Sequence, residues 1–145
     1  MNDLFWRGRR VFLTGHTGFK GGWLALWLTR MGAEVTGYAL PAPELSLFRQ
    51  ARIDTLLTHV EGDIRDLAAL EAAMTAANPE VVFHLAAQPL VRLSYQAPVE
   101  TFATNVQGTV HVLDACRRMP DLRSVVCVTS DKCYENRECG LTPLK

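Results

Sequence analysis

Short apolar runs closed by glycine or polar turns alternate along the chain with stretches whose apolar positions recur at helical spacing. The first run is Val11-Phe12-Leu13. It passes through a glycine-rich turn, residues 14–21, into a helical pattern at Trp23, Leu24, Trp27, Leu28 and Met31, which Gly32 is placed to end. Residues 33–38 read as a second strand and Pro41-Ala42-Pro43 as a loop. Residues 45–57 are predicted as a short helix with Leu47, Phe48, Ala51 and Leu56 on its apolar side, and residues 58–64 as a third strand. Asp66 can cap the next helix, which carries Leu67, Leu70, Met74 and Ala77 and stops at Asn78-Pro79. Residues 80–87 form a continuous apolar run, as expected of a parallel strand covered on both faces. A loop follows over residues 88–97. Pro98 suits the first turn of a long helix with Val99, Phe102, Val106, Val110, Leu113 and Arg117 at helical spacing, and residues 124–129 give a fifth strand.

Strands alternating with helices predict an α/β fold, a doubly wound parallel sheet of the Rossmann type in the order 3-2-1-4-5. Ligands bind such sheets at the carboxyl ends of the strands, around the switch point between strands 1 and 4. That rim gathers residues 15–21, Tyr38 to Leu40, Asp63 and Ile64, Leu85, Ala86, Ala87 and Gln88, and Thr129 to Lys132.

Bulk properties narrow the classes. With 145 residues the chain can hold one domain with a real core, and its zero formal net charge argues against nucleic acid. No apolar run approaches a membrane span, and the first ten residues lack the apolar core of a signal peptide, so a cytoplasmic location is expected. Cys116, Cys127, Cys133 and Cys139 contain no C-x-x-C pair, so free thiols are expected and no metal site. His59 is expected at the surface. His84, inside an apolar strand, is expected to be a satisfied core histidine.

The chemistry lies in the spacing of Gly15, Gly18 and Gly21. The first allows a tight turn off the strand. The second lets backbone approach a pyrophosphate, and the third lets the helix pack closely. With Thr17, Phe19 and Lys20 they place a helix start, with its free amides, against phosphates. The end of the second strand, Tyr38-Ala39-Leu40, supplies neither the acidic residue that holds ribose hydroxyls nor an arginine for a 2′-phosphate. The residues alone therefore leave NAD and NADP open.

Five segments, in order, resemble the extended short-chain dehydrogenase/reductase family: T-G-x-x-G-x-x-G at 14–21, G-D-I-R-D at 62–66, H-L-A-A-Q at 84–88, N-V-x-G-T at 105–109 and V-T-S-D-K-C-Y-E-N at 128–136. Q-P-L-V-R at 88–92, the lysine of Asp131-Lys132, and L-P-A-P after strand 2 look like the CDP-sugar branch of its sugar-nucleotide 4,6-dehydratases. The GDP-mannose dehydratases, which share the Ala-Ala-Gln context, are the nearest competitor. The resemblance implies bound NAD that takes a hydride from C4 of the sugar and returns it to C6 after loss of water. Asn105 would join the cofactor residues, with Gln88 and Arg92 near the nucleotide sugar. Ser130 would hydrogen-bond the C4 oxygen and Asp131 would protonate the leaving C6 hydroxyl. Lys132 would act as a base at C5 or stabilise the enolate electrostatically.

The family's Y-x-x-x-K is absent: Tyr38, Tyr95 and Tyr134 are followed four residues on by Ala42, Val99 and Glu138. The chain is therefore expected to be a truncated or frameshifted cofactor half, residues 1–145, lacking the substrate domain and inactive alone. A non-catalytic nucleotide-binding module is the alternative. The family's homodimer would be impaired, leaving the apolar side of the long helix exposed.

Overall fold

The computed structural model describes residues 3–130. In chain order the elements are α1 (Asp3–Trp6), β1 (Arg10–Thr14), α2 (Phe19–Arg30), β2 (Glu34–Ala39), α3 (Leu47–Gln50), β3 (Thr58–Glu61), α4 (Leu67–Ala77), β4 (Val81–His84), α5 (Val91–Gln96), α6 (Pro98–Phe102), α7 (Gly108–Cys116) and β5 (Ser124–Cys127). A π-helical segment, Ala103–Gln107, joins α6 to α7 without a break, so Pro98 opens one long helix as expected. The strands form a single parallel sheet in the order β3-β2-β1-β4-β5.

Alternation along the central strands builds two cores. Val11, Leu13, Val35 and Val81 face Ala25, Leu28, Met31, Phe48 and Ile53 on one side. Phe12, Tyr38 and Val82 face Leu70, Met74, Val112, Ala115 and Cys116 on the other. The sheet is thus covered by α2 and α3 on one face and by α4 and the long helix on the other. Helix α2 ends as its sequence demands. Gly32 adopts φ +85°, its N–H bonds Thr29 O at 3.0 Å, and Ala33 N–H bonds Leu28 O at 3.0 Å.

Several boundaries differ from expectation. Helix α2 turns its small residues Gly21, Gly22 and Ala25 inward and leaves Trp23 and Trp27 half exposed, because small side chains let the helix approach the sheet. The helix expected over 45–57 breaks at Arg52, whose φ of +48° is left-handed, and resumes as a short 3-10 turn that buries Ile53 rather than Leu56. β3 and β4 stop before residues 64 and 87. The loop 88–97 contains α5. As expected, the apolar stripe Val99, Phe102, Val106, Val110 and Leu113 is exposed, and the opposite face of the long helix, Gly108, Val112, Ala115 and Cys116, is buried.

At the amino ends of the strands the central pair is clamped by charge. Glu80 takes Arg9 Nη1 at 3.0 Å and the Arg10 N–H at 3.1 Å. The Arg10 guanidinium reaches Asn78 O and Asp121. No helix among the described residues is long and apolar enough to cross a membrane.

Candidate functional site

β1 ends at Thr14 and the chain turns at Gly15, whose φ is +78° and whose N–H bonds Tyr38 O at 3.0 Å. A Cβ on Gly15 would sit 2.7 Å from Ala86 N, so the turn and the loop after β4 meet backbone to backbone. A Cβ on Gly21 would overlap the Gly15 carbonyl oxygen. Gly21 therefore serves packing of the helix on its own turn rather than on the sheet. Gly18 is different. It is exposed, has ordinary extended backbone, and a Cβ there would meet only Gly15 O, at 3.3 Å. A side chain there would crowd that backbone oxygen but meet nothing else.

Helix α2 starts open. Its N-cap Gly18 offers no side-chain cap, its first turn holds no acidic residue, and its first internal bond is Gly22 N–H to Gly18 O at 2.8 Å. The amides of Phe19, Lys20 and Gly21 are thus the orphan donors of the helix start, with the Lys20 side chain in the same turn. Thr17 Oγ1 donates to Leu40 O at 3.0 Å and ties the turn to the end of β2. Beside it opens a cleft of about 400 Å³ lined by Thr17, Gly18, Phe19, Pro43, Leu45, Ser46 and Leu47. The last four were not picked out from the sequence. The Pro-Ala-Pro loop that carries the chain back over the turn was their only signal.

Beneath the turn lies a histidine pair. His16 is fully buried, in a space that a side chain on Gly37 would fill. Its Nε2 lies 2.7 Å from His59 Nδ1, and Phe48 packs on both rings. Burial, aided by His59, pushes the His16 pKa down to about 4, and the Tyr38 backbone offsets part of the shift. Its Nδ1 is buried without a hydrogen bond of normal geometry. His59 is accordingly half-buried and paired, not a surface residue as expected, and its Nε2 lies 3.6 Å from Glu61.

Several other rim positions serve the fold. The Tyr38 side chain, expected at the cofactor, is buried against Phe12, and its hydroxyl donates to Asp63 O at 3.2 Å. Burial raises its pKa. Asp63 accepts from the Arg65 guanidinium and N–H, which hold its carboxyl below the usual range. Ile64 is buried, packs where Gly108 leaves room, and offers its carbonyl to His111 Nδ1 at 2.9 Å. Leu40 is exposed.

The loop after β4 is anchored at both ends. Leu85 and Ala86 N–H groups each donate to Thr14 Oγ1 at 3.2 Å, which ends the strand at His84. Gln88 gives its N–H to Asn105 Oδ1 at 2.7 Å and takes Asn105 Nδ2 on its carbonyl at 3.0 Å. The Asn105 side chain is therefore spent on holding Gln88. Ala87 is exposed. The Gln88 side chain donates to Thr101 Oγ1 and Leu90 O. Arg92 stands exposed on α5. Thr129 and Ser130 are exposed at the end of the described chain, past β5. Asp131 and Lys132, like Cys133 and Cys139, lie outside the described residues. Cys116 and Cys127 are free thiols, and burial with the neighbouring Cys127 raises Cys116 to about 11. Among the described residues no cluster of histidine, cysteine or carboxylate could hold a metal.

Comparison with known proteins agrees with this geometry. The model of the GDP-mannose 4,6 dehydratase family matches residues 12–138. A CDP-glucose 4,6-dehydratase of Salmonella typhimurium (strain LT2) is 58% identical over 135 residues, which cover 92% of this chain and 38% of that protein. Among solved structures, a UDP-glucose-4-epimerase from Stenotrophomonas maltophila with bound NAD and formylated UDP-arabinopyranose superposes with a TM-score of 0.78 at 27% identity, covering 92% of this chain and 40% of that one. A UDP-glucose 4-epimerase from Brucella ovis in complex with NAD gives 0.71 at 30% identity, covering 83% and 35%. The chain thus spans about two fifths of the length of these relatives. With residues 12–138 matched by one family model, the chain belongs to the GDP-mannose 4,6 dehydratase family.

Proposed function

We propose that this chain is the NAD-binding part of a CDP-glucose 4,6-dehydratase. The observation that carries the reading is the open start of α2: orphan amides, an uncapped Gly18 and no acidic residue, set where β1 meets the loop after β4. A dinucleotide pyrophosphate fits those donors, and the cleft beside Pro43 and Leu47 has room for its adenosine. Residues 15–21 and 85–88 would hold the cofactor mainly through backbone. NAD, once bound, supplies a reversible hydride acceptor. Ser130 would donate a hydrogen bond to the sugar C4 oxygen, Asp131 would give a proton to the departing C6 hydroxyl, and Lys132 would take the C5 proton or steady the charge left there. Gln88 and Arg92 would sit on the sugar-nucleotide side. The choice of CDP-glucose is supported by the 58% identical relative of that name. The exposed stripe from Val99 to Leu113 supports pairing of two copies along the long helix.

Calorimetry with NAD⁺ tests the first step: binding is expected, and Gly18→Val should abolish it. Incubation with CDP-glucose and with GDP-mannose, following the 4-keto product, tests the substrate. Absence of NAD⁺ binding overturns the reading. Binding of NAD⁺ without turnover is the outcome expected of an NAD-binding part alone, turnover of CDP-glucose by this chain overturns the expectation that it is inactive, and preference for GDP-mannose overturns the choice of nucleotide.

A further inference from the structure

The loop 85–88 has two anchors, and one buried side chain connects them. His84 Nδ1 lies 2.7 Å from Thr14 Oγ1, and His84 Nε2 lies 3.0 Å from Thr109 Oγ1. Thr109 Oγ1 in turn donates to Asn105 O at 2.7 Å. A hydroxyl has one proton and two lone pairs. The Thr109 proton is committed to the Asn105 carbonyl, so Thr109 can only accept from the ring, and the proton must be on Nε2. Thr14 Oγ1 accepts the Ala86 N–H and shares the Leu85 N–H with the Thr14 carbonyl, at 3.2 Å each, so its own proton is directed to the ring and Nδ1 is bare. The two ends of the chain of bonds demand the same neutral tautomer independently.

We propose that His84 is a positioning residue for the cofactor-facing loop 85–88: neutral, with its proton on Nε2, it joins the Thr14 anchor to the Asn105 anchor and so sets the loop's distance from the Gly15 turn. The inference rests on the NAD-binding reading for its functional consequence, but the proton arrangement stands on the geometry alone. Asn105 closes the circuit. Its side chain holds Gln88, its carbonyl holds Thr109, and it sits in the π-helical segment, whose wider turn is the local departure from the α-helix at this site. The groups facing the ring are Thr14 from β1, Thr109 from the long helix and, in register on β5, Cys127. Burial lowers the His84 pKa, in keeping with a neutral ring.

Two substitutions separate positioning from simple support. In His84→Asn the side-chain oxygen stands where Nδ1 stood and can still accept from Thr14. In His84→Gln the side-chain nitrogen stands where Nε2 stood, and the Thr14 acceptor is lost. The chain labelled with ¹⁵N-histidine should show His84 with a bare Nδ1 and a protonated Nε2, unchanged from pH 8 down past 6.5, the ordinary histidine value. Amide exchange at Leu85 and Ala86 should quicken in His84→Gln and stay slow in His84→Asn. NAD⁺ affinity should fall about tenfold in the first and by less than about threefold in the second. Thr109→Val, remote from the cleft, should leave Nδ1 bare under the Thr14 hydroxyl but cut the link to Asn105 and loosen the loop, which keeps the test alive if His84→Gln does not fold. A proton on Nδ1, or equal effects of Asn and Gln on the two amides, overturns the proposal. If the unaltered chain does not bind NAD⁺, the functional reading fails while the tautomer and exchange results still decide the role of His84.

Discussion

The two faces of the sheet each bury a histidine, and they do so in opposite ways. On the face of α4 and the long helix, His84 has both ring nitrogens hydrogen-bonded, one to Thr14 and one to Thr109. On the face of α2, His16 bonds only His59 and leaves Nδ1 without a partner of normal geometry. The helix starts follow the same division. Helix α4 is closed by Asp66, whose carboxylate accepts the Ala69 N–H at 3.1 Å, whereas α2 begins at a bare glycine. One face is finished by the chain itself. The other keeps unpaired polar groups beside the cleft, which is where a ligand can be rewarded for binding.

The largest test of this contrast sets glycine against glycine. Gly21→Ala on the α2 face drives a Cβ into the Gly15 backbone, which cannot yield, and should cost about 3 kcal/mol or more in denaturant unfolding. Gly108→Ala on the other face meets the end of the Ile64 side chain, at 2.5 Å, which can rotate, so a loss of about 1–2 kcal/mol is expected. Equal losses would break the comparison.

Acid is the next test. The folded pKa of His16 lies below its unfolded value, so its unfolded form takes up a proton first. Stability is whole above pH 6.5 and declines as pH falls from 6.5 toward 4. His16 should contribute about 3 kcal/mol to that decline, and His16→Gln should flatten it. Persistence of the full slope in that variant would assign it to other groups.

The caps give the smallest effects. Asp66→Ala should destabilise by about 1 kcal/mol, read as a lower thermal midpoint. Gly18→Asp adds a cap and an acid to the start of α2, so the free chain should change by less than about 1 kcal/mol, while NAD⁺ binding should disappear by charge repulsion. Retained binding would mean that the helix start is not the phosphate site.

The glycine turn and the Asp66 cap were legible in the sequence because each depends on neighbours along the chain, and strand order and the burial of His84 because the strand–helix alternation and the apolar run around residue 84 announce them. The misreadings share a cause. Tyr38 and His59 stand at rim positions by strand register, but their side chains are claimed by elements far away in sequence: Tyr38 by Phe12 and by the space above Gly62, His59 by His16. Gly37 and Gly62 were the available signals, since a glycine inside or just past a strand marks the close approach of something else. Asn105 reaches the same rim and there bonds the Gln88 backbone, a partner that spacing along the chain does not reveal.

The charged clamp at the amino ends of the strands also bears on synthesis. β1 is made first yet lies in the middle of the sheet. It gains its second neighbour, and the bond from Arg10 to Glu80, only after 70 further residues exist, and its tie to Asp121 after 111. A nascent chain must therefore hold Val11, Phe12 and Leu13 half-covered until β4 leaves the ribosome. The strand that leads into the glycine turn is thus among the first translated but stays open along one edge until more than half of the chain has been made, which lengthens the time its apolar residues are exposed during synthesis.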